Sequence, residues 1–131
     1  MKILIVDDDD VLRSHLAKEL ESRAFEVLQA QSGDEGLHVY QKNGPWELVL
    51  TDYRFFPGTK IKDGAQLVSA IHGLNPLQQM AIMTSDPQGA RRNLPRALRD
   101  LLILRKPFRM EQVIRLLRQP VLPLDCAGVI S

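Results

Sequence analysis

The chain has 131 residues, of which 44% are apolar and 25% are charged, and its formal net charge is +1 at neutral pH. This length fits one domain with a substantial hydrophobic core, and a charge so near zero argues against a general electrostatic attraction to nucleic acid or to a membrane surface. No apolar run approaches the roughly 18 residues that a membrane-spanning helix needs, so no membrane association is expected.

The cysteine content and the first residues predict a cytoplasmic protein. Cys126 is the only cysteine, which excludes an intramolecular disulfide and is typical of a reducing compartment. Met1 leads directly into an apolar run, without the basic segment, apolar stretch and cleavage site of a signal peptide. We therefore expect a cytoplasmic location.

Four short apolar runs that end at polar residues predict four strands, and Phe25–Ala30 is predicted as a further short strand. Runs of this kind are typical of strands that are buried on both faces in a parallel sheet. In chain order the predicted strands are Ile3–Val6, Phe25–Ala30, Leu48–Thr51, Ala81–Met83 and Leu101–Arg105.

A stretch with helical features follows each predicted strand. The first helix is expected to begin at an Asp9 or Asp10 N-cap and to face the sheet with five residues at helical spacing: Val11, Leu12, His15, Leu16 and Leu20. The later helices are predicted from Gly33 to about Lys42 behind a Ser32 N-cap, from an Asp63 N-cap to Gly73, from about Gln88 to Arg99, and from about Met110 to Arg118. Pro95 lies inside the fourth helix and weakens it, because proline removes a backbone hydrogen bond.

Strand and helix thus alternate five times along the chain. Such alternation predicts an α/β fold, in which right-handed crossovers place helices on both faces of a parallel sheet. We expect the domain to cover residues 1–119. Residues 120–131 contain two prolines and no clear period, and they form either an ordered extension packed on the domain or the start of a linker.

Polar residues follow four of the predicted strands. They are Asp7 and Asp8 after the first strand, Asp52 after the third, Thr84 after the fourth and Lys106 after the fifth. Open parallel sheets bind ligands beyond the carboxyl ends of their strands, so these side chains are expected to converge. Clustered carboxylates repel one another unless a cation shares them. Mg²⁺ suits such a cluster because it takes one or two carboxylates, keeps several waters and accepts a phosphate oxygen.

Each of these residues also has a purely structural interpretation when it is taken alone. Asp7 and Asp8 can cap the first helix, and Asp52 can be an ordinary turn residue. Thr84 fits a strand-end hydroxyl, and Lys106 fits a solvated loop lysine. Their joint placement favours a magnesium-dependent phosphorylation site over these separate interpretations.

From Met1 to about Gln119 the chain resembles the receiver domains of two-component response regulators. The residues that carry the resemblance are, in order, Asp7–Asp8, Asp52, Thr84–Ser85 and Lys106–Pro107–Phe108. The resemblance implies a doubly wound, flavodoxin-like fold with a five-stranded parallel sheet of order 2-1-3-4-5 and helices on both faces.

The resemblance also implies a role for each acidic residue. Asp8 would be the principal Mg²⁺ ligand, and Asp7 would support it, partly through water. Asp52 would be both a metal ligand and the phosphoacceptor, acting as a nucleophile that forms an acyl phosphate. The backbone carbonyl of Arg54 would be a further ligand.

On this interpretation the chain is a phosphoacceptor switch, not a conventional enzyme, and it catalyses its own phosphotransfer and dephosphorylation. Thr84 and Lys106 would neutralise charge on the transferred group, and Thr84 would also move when the switch is set. The implied donor is a sensor histidine kinase or a phosphotransfer protein. The implied output is a downstream protein or an effector domain missing from this sequence, without direct DNA binding by this chain. Homodimers, common among relatives, are a further option.

Two features depart from the family pattern. The second switch position, three residues before Lys106, holds Ile103 instead of an aromatic residue, and a β-branched isoleucine cannot supply the usual rotameric signal. The loop between Asp52 and the Asp63–Gly64 pair is a few residues longer than usual. It either gates the donor or binds a partner, or it is a neutral surface insertion.

Charged residues near these positions support two further hypotheses. Arg54 and Asp86 each lie two positions past a site residue, so we expect them to pair across the mouth of the pocket and to slow hydrolysis. A basic stretch follows, in Arg91, Arg92, Arg96 and Arg99. This stretch is either a solvated surface or a contact for an acidic protein or RNA.

Two competing functions belong to other classes. One is a receiver-like interaction module that no longer needs phosphorylation, which Ile103 and the long loop favour. The other is a phosphohydrolase of the haloacid dehalogenase type, because Asp8 and Asp10 have the spacing of its nucleophile and second acid.

Overall fold

The computed structural model describes residues 1–55 and 60–118. Its strands are Lys2–Val6 (β1), Glu26–Ala30 (β2), Leu48–Asp52 (β3), Met80–Thr84 (β4) and Leu102–Arg105 (β5). They form one parallel sheet in the order β2-β1-β3-β4-β5, which confirms the predicted doubly wound, flavodoxin-like fold. The predicted boundary at residue 119 and the tail at 120–131 lie outside the described residues.

The helices of the described chain are Asp10–Glu21 (α1), Gly33–Lys42 (α2), Gly64–Leu74 (α3), Pro87–Arg92 (α4) and Met110–Arg118 (α5). The first three helices have the predicted N-caps, Asp9 for α1, Ser32 for α2 and Asp63 for α3. Each cap side chain accepts a hydrogen bond from an amide in the first turn of its helix. None of these helices combines the length and the apolar character that crossing a membrane requires.

Both faces of the sheet are buried, because the strands are apolar at successive positions. Ile5 of β1 and Leu50 of β3 belong to a core layer shared with α1 and α5. Val6 and Val49, their neighbours on the other face, belong to a layer shared with α2, α3 and α4. The helices therefore cover the two faces of the sheet, and the carboxyl ends of the strands remain available for a site.

The sheet-facing side of α1 differs from the prediction. Leu16 is buried as expected, but Val11 is 80% exposed and His15 is exposed as well. Arg13 occupies the buried face instead, because its guanidinium turns inward and bonds the backbone at the end of β1. A pattern based on apolar residues cannot detect a buried arginine of this kind.

The fourth helix is shorter than the predicted span from Gln88 to Arg99. α4 ends at Arg92, and a separate turn of 3₁₀ helix covers Arg96–Leu98. Pro95 lies between them and ends the helix, because it has no backbone N–H to continue the hydrogen-bond ladder.

Candidate functional site

The carboxyl edge of the sheet brings the predicted acidic residues together. Asp7 directly follows β1, and Asp52 is the last residue of β3, the neighbouring strand. Carboxylate oxygens of Asp7, Asp8 and Asp52, one from each residue, all lie within 4.8 Å of one another. Asp7 is fully buried, Asp52 is 9% exposed and Asp8 is half-buried. The result is a compact acidic pocket, the name used below for these three side chains.

The carboxylate of Asp7 has one oxygen in a hydrogen bond and one without. Oδ1 accepts a hydrogen bond from the Asp9 amide at 2.9 Å. Oδ2 is buried and accepts no hydrogen bond from the part of the chain that the structure describes, although it lies 3.5 Å from the ammonium of Lys106. Burying a carboxylate oxygen without a hydrogen bond costs free energy unless a ligand binds it. Because Mg²⁺ prefers oxygen ligands, the three carboxylates, including this oxygen of Asp7, fit a magnesium ion.

Asp52 is held by one amide and one cation. Its Oδ1 accepts hydrogen bonds from the Tyr53 amide at 2.9 Å and from Lys106 Nζ at 3.2 Å. Burial is the main reason why the pKa of the Asp52 carboxyl rises from 3.8 to about 6, and the negative charge of Asp7 raises it further, whereas Lys106 opposes the rise. An excess of negative charge therefore remains in the pocket despite the lysine.

Lys106 and Thr84 come from the ends of β5 and β4. The Lys106 amide donates to the Thr84 carbonyl at 2.8 Å, and the Lys106 side chain is 25% exposed. Thr84 is buried, and its Oγ1 accepts a hydrogen bond from the Asp86 amide at 3.0 Å. That bond uses a lone pair, so the hydroxyl hydrogen of Thr84 can still be donated to another acceptor. Thr84 follows Met83, which pairs with Asp52 across the sheet.

The chain folds back on itself just after Asp52. Arg54 forms an isolated antiparallel bridge with Asp63, and the Gly64 amide donates to the Tyr53 carbonyl at 2.7 Å. A Cβ on Gly64 would lie 2.4 Å from the backbone oxygen of Asp52, so a larger residue does not fit without a backbone shift. The two ends of the long loop are thus joined beside the acidic pocket, while residues 56–59 lie outside the described part.

Arg54 and Asp86 line one cavity of about 530 Å³, to which Tyr53 and Asn93 also contribute. They do not form the expected ion pair in the described structure. The Arg54 guanidinium lies over the Tyr53 ring, 5.9 Å from its centroid, and the Asp86 carboxylate caps α4 by accepting a hydrogen bond from the Gly89 amide. The two residues share a cavity, but each has a different partner.

Residues that the sequence did not single out support the pocket. Thr51 Oγ1 donates to the backbone oxygen of Asp52 at 2.9 Å, and Arg13 Nη1 donates to the backbone oxygen of Asp7 at 2.6 Å. Arg13 had a sequence signal, because it lies three positions after Asp10, the spacing of an ion pair on one helix. The bond of Thr51 to its neighbour had none.

The family comparison agrees with this geometry. The family model for the response regulator receiver domain matches residues 3–118. The chain belongs to this family. It is therefore a receiver domain of two-component signalling, and the resemblance inferred from the sequence is confirmed. Receiver domains are phosphoacceptor switches that interact with histidine kinases or phosphotransfer proteins and with effector domains.

Relatives of the chain include parts of much longer proteins. It is 28% identical over 122 residues to the peroxide stress-activated histidine kinase mak3 of Schizosaccharomyces pombe, covering 90% of this chain but 5% of that protein. It is 35% identical over 83 residues to the transcriptional regulatory protein GlrR of Escherichia coli, covering 63% of this chain and 18% of that protein. The crystal structure of the receiver domain from the hybrid histidine kinase CckA is 27% identical, with a TM-score of 0.69, and the match covers 90% of this chain and 100% of that domain.

Proposed function

We propose that this receiver domain accepts a phosphoryl group on Asp52 in a Mg²⁺-dependent reaction, with a sensor histidine kinase or a phosphotransfer protein as donor. The observation that carries the proposal is the acidic pocket, in which three carboxylates lie within 4.8 Å and the Lys106 ammonium contacts Asp52. Asp7, Asp8, Asp52 and the Arg54 carbonyl would hold the ion. When bound, Mg²⁺ would offset the charge of the carboxylates and of the phosphoryl oxygens.

Asp52 is the nucleophile. Its ionised carboxylate attacks the phosphorus of a phosphohistidine, a P–O bond forms, and the P–N bond breaks as the imidazole leaves. Because the pKa of Asp52 is about 6, the carboxylate is mainly ionised at neutral pH despite its burial. In the reverse half of the cycle, water attacks the aspartyl phosphate, inorganic phosphate leaves, and the carboxylate is regenerated.

Lys106 and Thr84 stabilise the charge that the phosphoryl group brings into the pocket. The Lys106 ammonium already contacts Asp52 and would donate a hydrogen bond to a phosphoryl oxygen while it keeps its positive charge. The Thr84 hydroxyl can donate to another phosphoryl oxygen while it keeps the bond from the Asp86 amide. Phosphorylation would therefore change the position of Thr84, the last residue of β4, whose hydroxyl is bonded to the amide of Asp86, the N-cap of α4.

The output of this switch is proposed to be contact with a downstream protein or with an effector domain of a longer chain. Relatives such as mak3 and GlrR are far longer than the matched region. Ile103 is half-buried on β5 and packs against the core layer that contains α4, so it transmits a change by packing and not by an aromatic rotation. The same observation supports the alternative of an interaction module that needs no phosphate.

Phosphorylation can be tested without knowing the natural kinase. The wild-type domain, Asp52→Asn and Asp100→Asn would be incubated with acetyl phosphate and MgCl₂ and analysed by intact-mass spectrometry. We expect one added phosphoryl group on the wild type and on Asp100→Asn, whose carboxylate is exposed and outside the pocket. We expect none on Asp52→Asn or after chelation with EDTA. Equal labelling of Asp52→Asn would refute the assignment.

Beryllium fluoride separates the switch from the phosphate-independent module. A competent acceptor site binds this acyl-phosphate mimic in the presence of Mg²⁺, which ¹⁹F NMR detects as a bound signal. Absence of both the bound signal and the phosphoryl adduct would favour the module. The phosphohydrolase has weaker support, because the Asp10 carboxylate is 73% exposed and pairs with Arg13 at 2.6 Å instead of joining the acidic pocket.

A further inference from the structure

Arg13 is the buried cation of the described chain. Its side chain is 9% exposed, and it lies in α1 on the face that packs against the sheet. Burying a guanidinium is unfavourable unless its donors find partners. An apolar residue would be expected on this face, so the hydrogen bonds of Arg13 must account for its burial.

The guanidinium bonds three different segments of the chain. Nη1 donates to the backbone oxygen of Asp7 at 2.6 Å, Nη2 to Asp10 Oδ1 at 2.6 Å, and Nε to Gln29 Oε1 at 3.0 Å. These acceptors belong to the end of β1, the first turn of α1 and the end of β2. A planar guanidinium makes such a set of bonds in one fixed geometry, which the point charge of a lysine cannot reproduce.

The bond to Asp7 is the one that concerns the acidic pocket. The carbonyl that Arg13 holds belongs to the peptide between Asp7 and Asp8, the two residues that follow β1 and contribute two of the three carboxylates. The amide of Asp7 is held as well, because it donates to the Ala30 carbonyl at 3.1 Å. Both sides of the Asp7 backbone are therefore fixed, one by the sheet and one by Arg13.

We propose that Arg13 is a positioning residue for the magnesium ligands: it fixes the Asp7–Asp8 peptide so that both carboxylates face Asp52 before the ion arrives. The proposal rests on the function proposed above. Mg²⁺ demands near-ideal ligand geometry, so a loop held in advance binds it more tightly than a loop that must be ordered on binding. Partners that hold ligands in this way typically change metal affinity by 10–100-fold when they are mutated.

Electrostatics alone makes the opposite prediction. Arg13 is a cation near a cation site, so removing its charge should strengthen Mg²⁺ binding if repulsion were the main effect. A positioning role predicts that Arg13→Gln weakens binding. It also predicts that Arg13→Lys, which keeps the charge and loses the three-way geometry, weakens binding too. The sign of the change in the Kd for Mg²⁺ therefore distinguishes the two effects.

The test is a titration of the domain with MgCl₂, followed by ¹H–¹⁵N NMR of the backbone amides. We expect the Kd to rise about tenfold for Arg13→Gln and by a smaller factor for Arg13→Lys. Arg23→Gln is the matched control, because Arg23 follows α1, is exposed and bonds Glu19 without reaching the pocket. Its Kd should stay within about twofold of the wild-type value, as expected for an exposed ion pair.

A merely structural role for Arg13 gives a different result. Arg13→Gln would then lower the free energy of unfolding, measured in urea without Mg²⁺, while the Kd of the folded protein stayed at the wild-type value, and this would overturn the proposal. If Arg13→Gln does not fold, Arg13→Lys gives the same test, because it keeps the charge and loses the three-way geometry: a Kd at the wild-type value there would overturn the proposal. Failure of the wild type to bind Mg²⁺ would refute the proposed function itself.

Discussion

The two parts of this chain carry opposite charge and use it differently. Residues 1–86 contain eight cationic and thirteen acidic side chains, a formal net charge of −5, whereas residues 87–118 contain nine cationic and two acidic side chains, a net charge of +7. In the first part the acids of the pocket are close together and largely buried. In the second part the described arginines are exposed: Arg91, Arg92, Arg96, Arg99, Arg105, Arg109 and Arg115.

The difference shows that burial, more than the number of charges, decides what a charge does. Burial, together with the charge of Asp7, raises the pKa of Asp52 to about 6, and among the described residues one oxygen of Asp7 accepts no hydrogen bond, so a cation would stabilise the pocket. The exposed arginines are solvated, and Arg91 bonds only the backbone oxygens of Arg99 and Leu101 among the described contacts. We therefore expect substitutions to have large effects beside the pocket and small effects at the exposed arginines of the second part.

The largest expected effect is that of Gly64→Ala, beside the pocket. A Cβ at this position would lie 2.4 Å from the Asp52 backbone oxygen and 2.9 Å from the Tyr53 Cα, and a backbone neighbour cannot move aside as a side chain can. We expect the free energy of unfolding, measured by urea denaturation, to fall by about 3 kcal/mol. This is the upper end of the range of about 1–3 kcal/mol that is typical when an extra methyl group is forced into a well-packed site.

Gly73→Ala, on the same helix, is the matched control for this change. A Cβ there would meet no atom within 4 Å. Because alanine favours the helix more than glycine does, this variant should be more stable than the wild type by about 0.5–1 kcal/mol. Equal effects of the two substitutions would contradict the close packing at Gly64.

The second effect concerns the pH dependence of stability. The pKa of Asp52 is about 6 in the folded protein and 3.8 as an ordinary aspartate, so the folded state binds the proton more tightly. The contribution of Asp52 to the free energy of unfolding should therefore be highest below about pH 4, fall as the pH rises through about 6, and then level off. The total change from this group should be about 1–3 kcal/mol.

Asp52→Asn removes this titration, so without Mg²⁺ the variant should be more stable than the wild type at pH 7.5, and the two should converge below pH 4. Urea denaturation with EDTA across this pH range measures the difference, in which the contributions of other titrating groups cancel. The free energy of unfolding of Asp100→Asn, which changes an exposed carboxylate, should depend on pH in the same way as that of the wild type. A constant difference for Asp52→Asn would show that its carboxyl is not destabilised by burial.

The smallest expected effects lie in the basic part. Arg92→Gln and Arg96→Gln change exposed side chains, and surface substitutions of this kind stay within about 0.5 kcal/mol. Neither should alter phosphoryl uptake from acetyl phosphate. A loss of stability above about 1 kcal/mol would mean that these arginines stabilise the fold, and it would contradict the expectation that exposed charges have small effects.

Local signals in the sequence predicted most of the fold. The helix from Gly33 to Lys42 has the bounds that were predicted for it, behind its Ser32 N-cap. Four of the strands were found because each is a short apolar run that stops at a polar residue. The prediction failed where the outcome depends on tertiary contacts, as on α1, or where a breaker competes with helical spacing, as at Pro95.

The candidate site was predictable to a similar extent. Asp7, Asp8, Asp52 and Lys106 were named from their positions after strands, and the structure brings them together. The roles assigned to these residues, to Arg54 and to Thr84 all remain predictions. The Arg54–Asp86 pair does not form, because spacing along a strand end says nothing about which partner an exposed side chain finds, and Asp86 is already engaged by the first turn of α4.

The sequence by itself determined which polar residues lie together, because the order of strands and the rule for parallel sheets place every strand's carboxyl end at one edge. Only the tertiary structure decided how those residues are held. Arg13 reaches Asp7 from another element, Gly64 meets the backbone of Asp52, and Lys106 lies between two carboxylates. Such contacts depend on distances of a few ångströms between segments far apart in the chain, and no pattern of neighbouring residues encodes those distances.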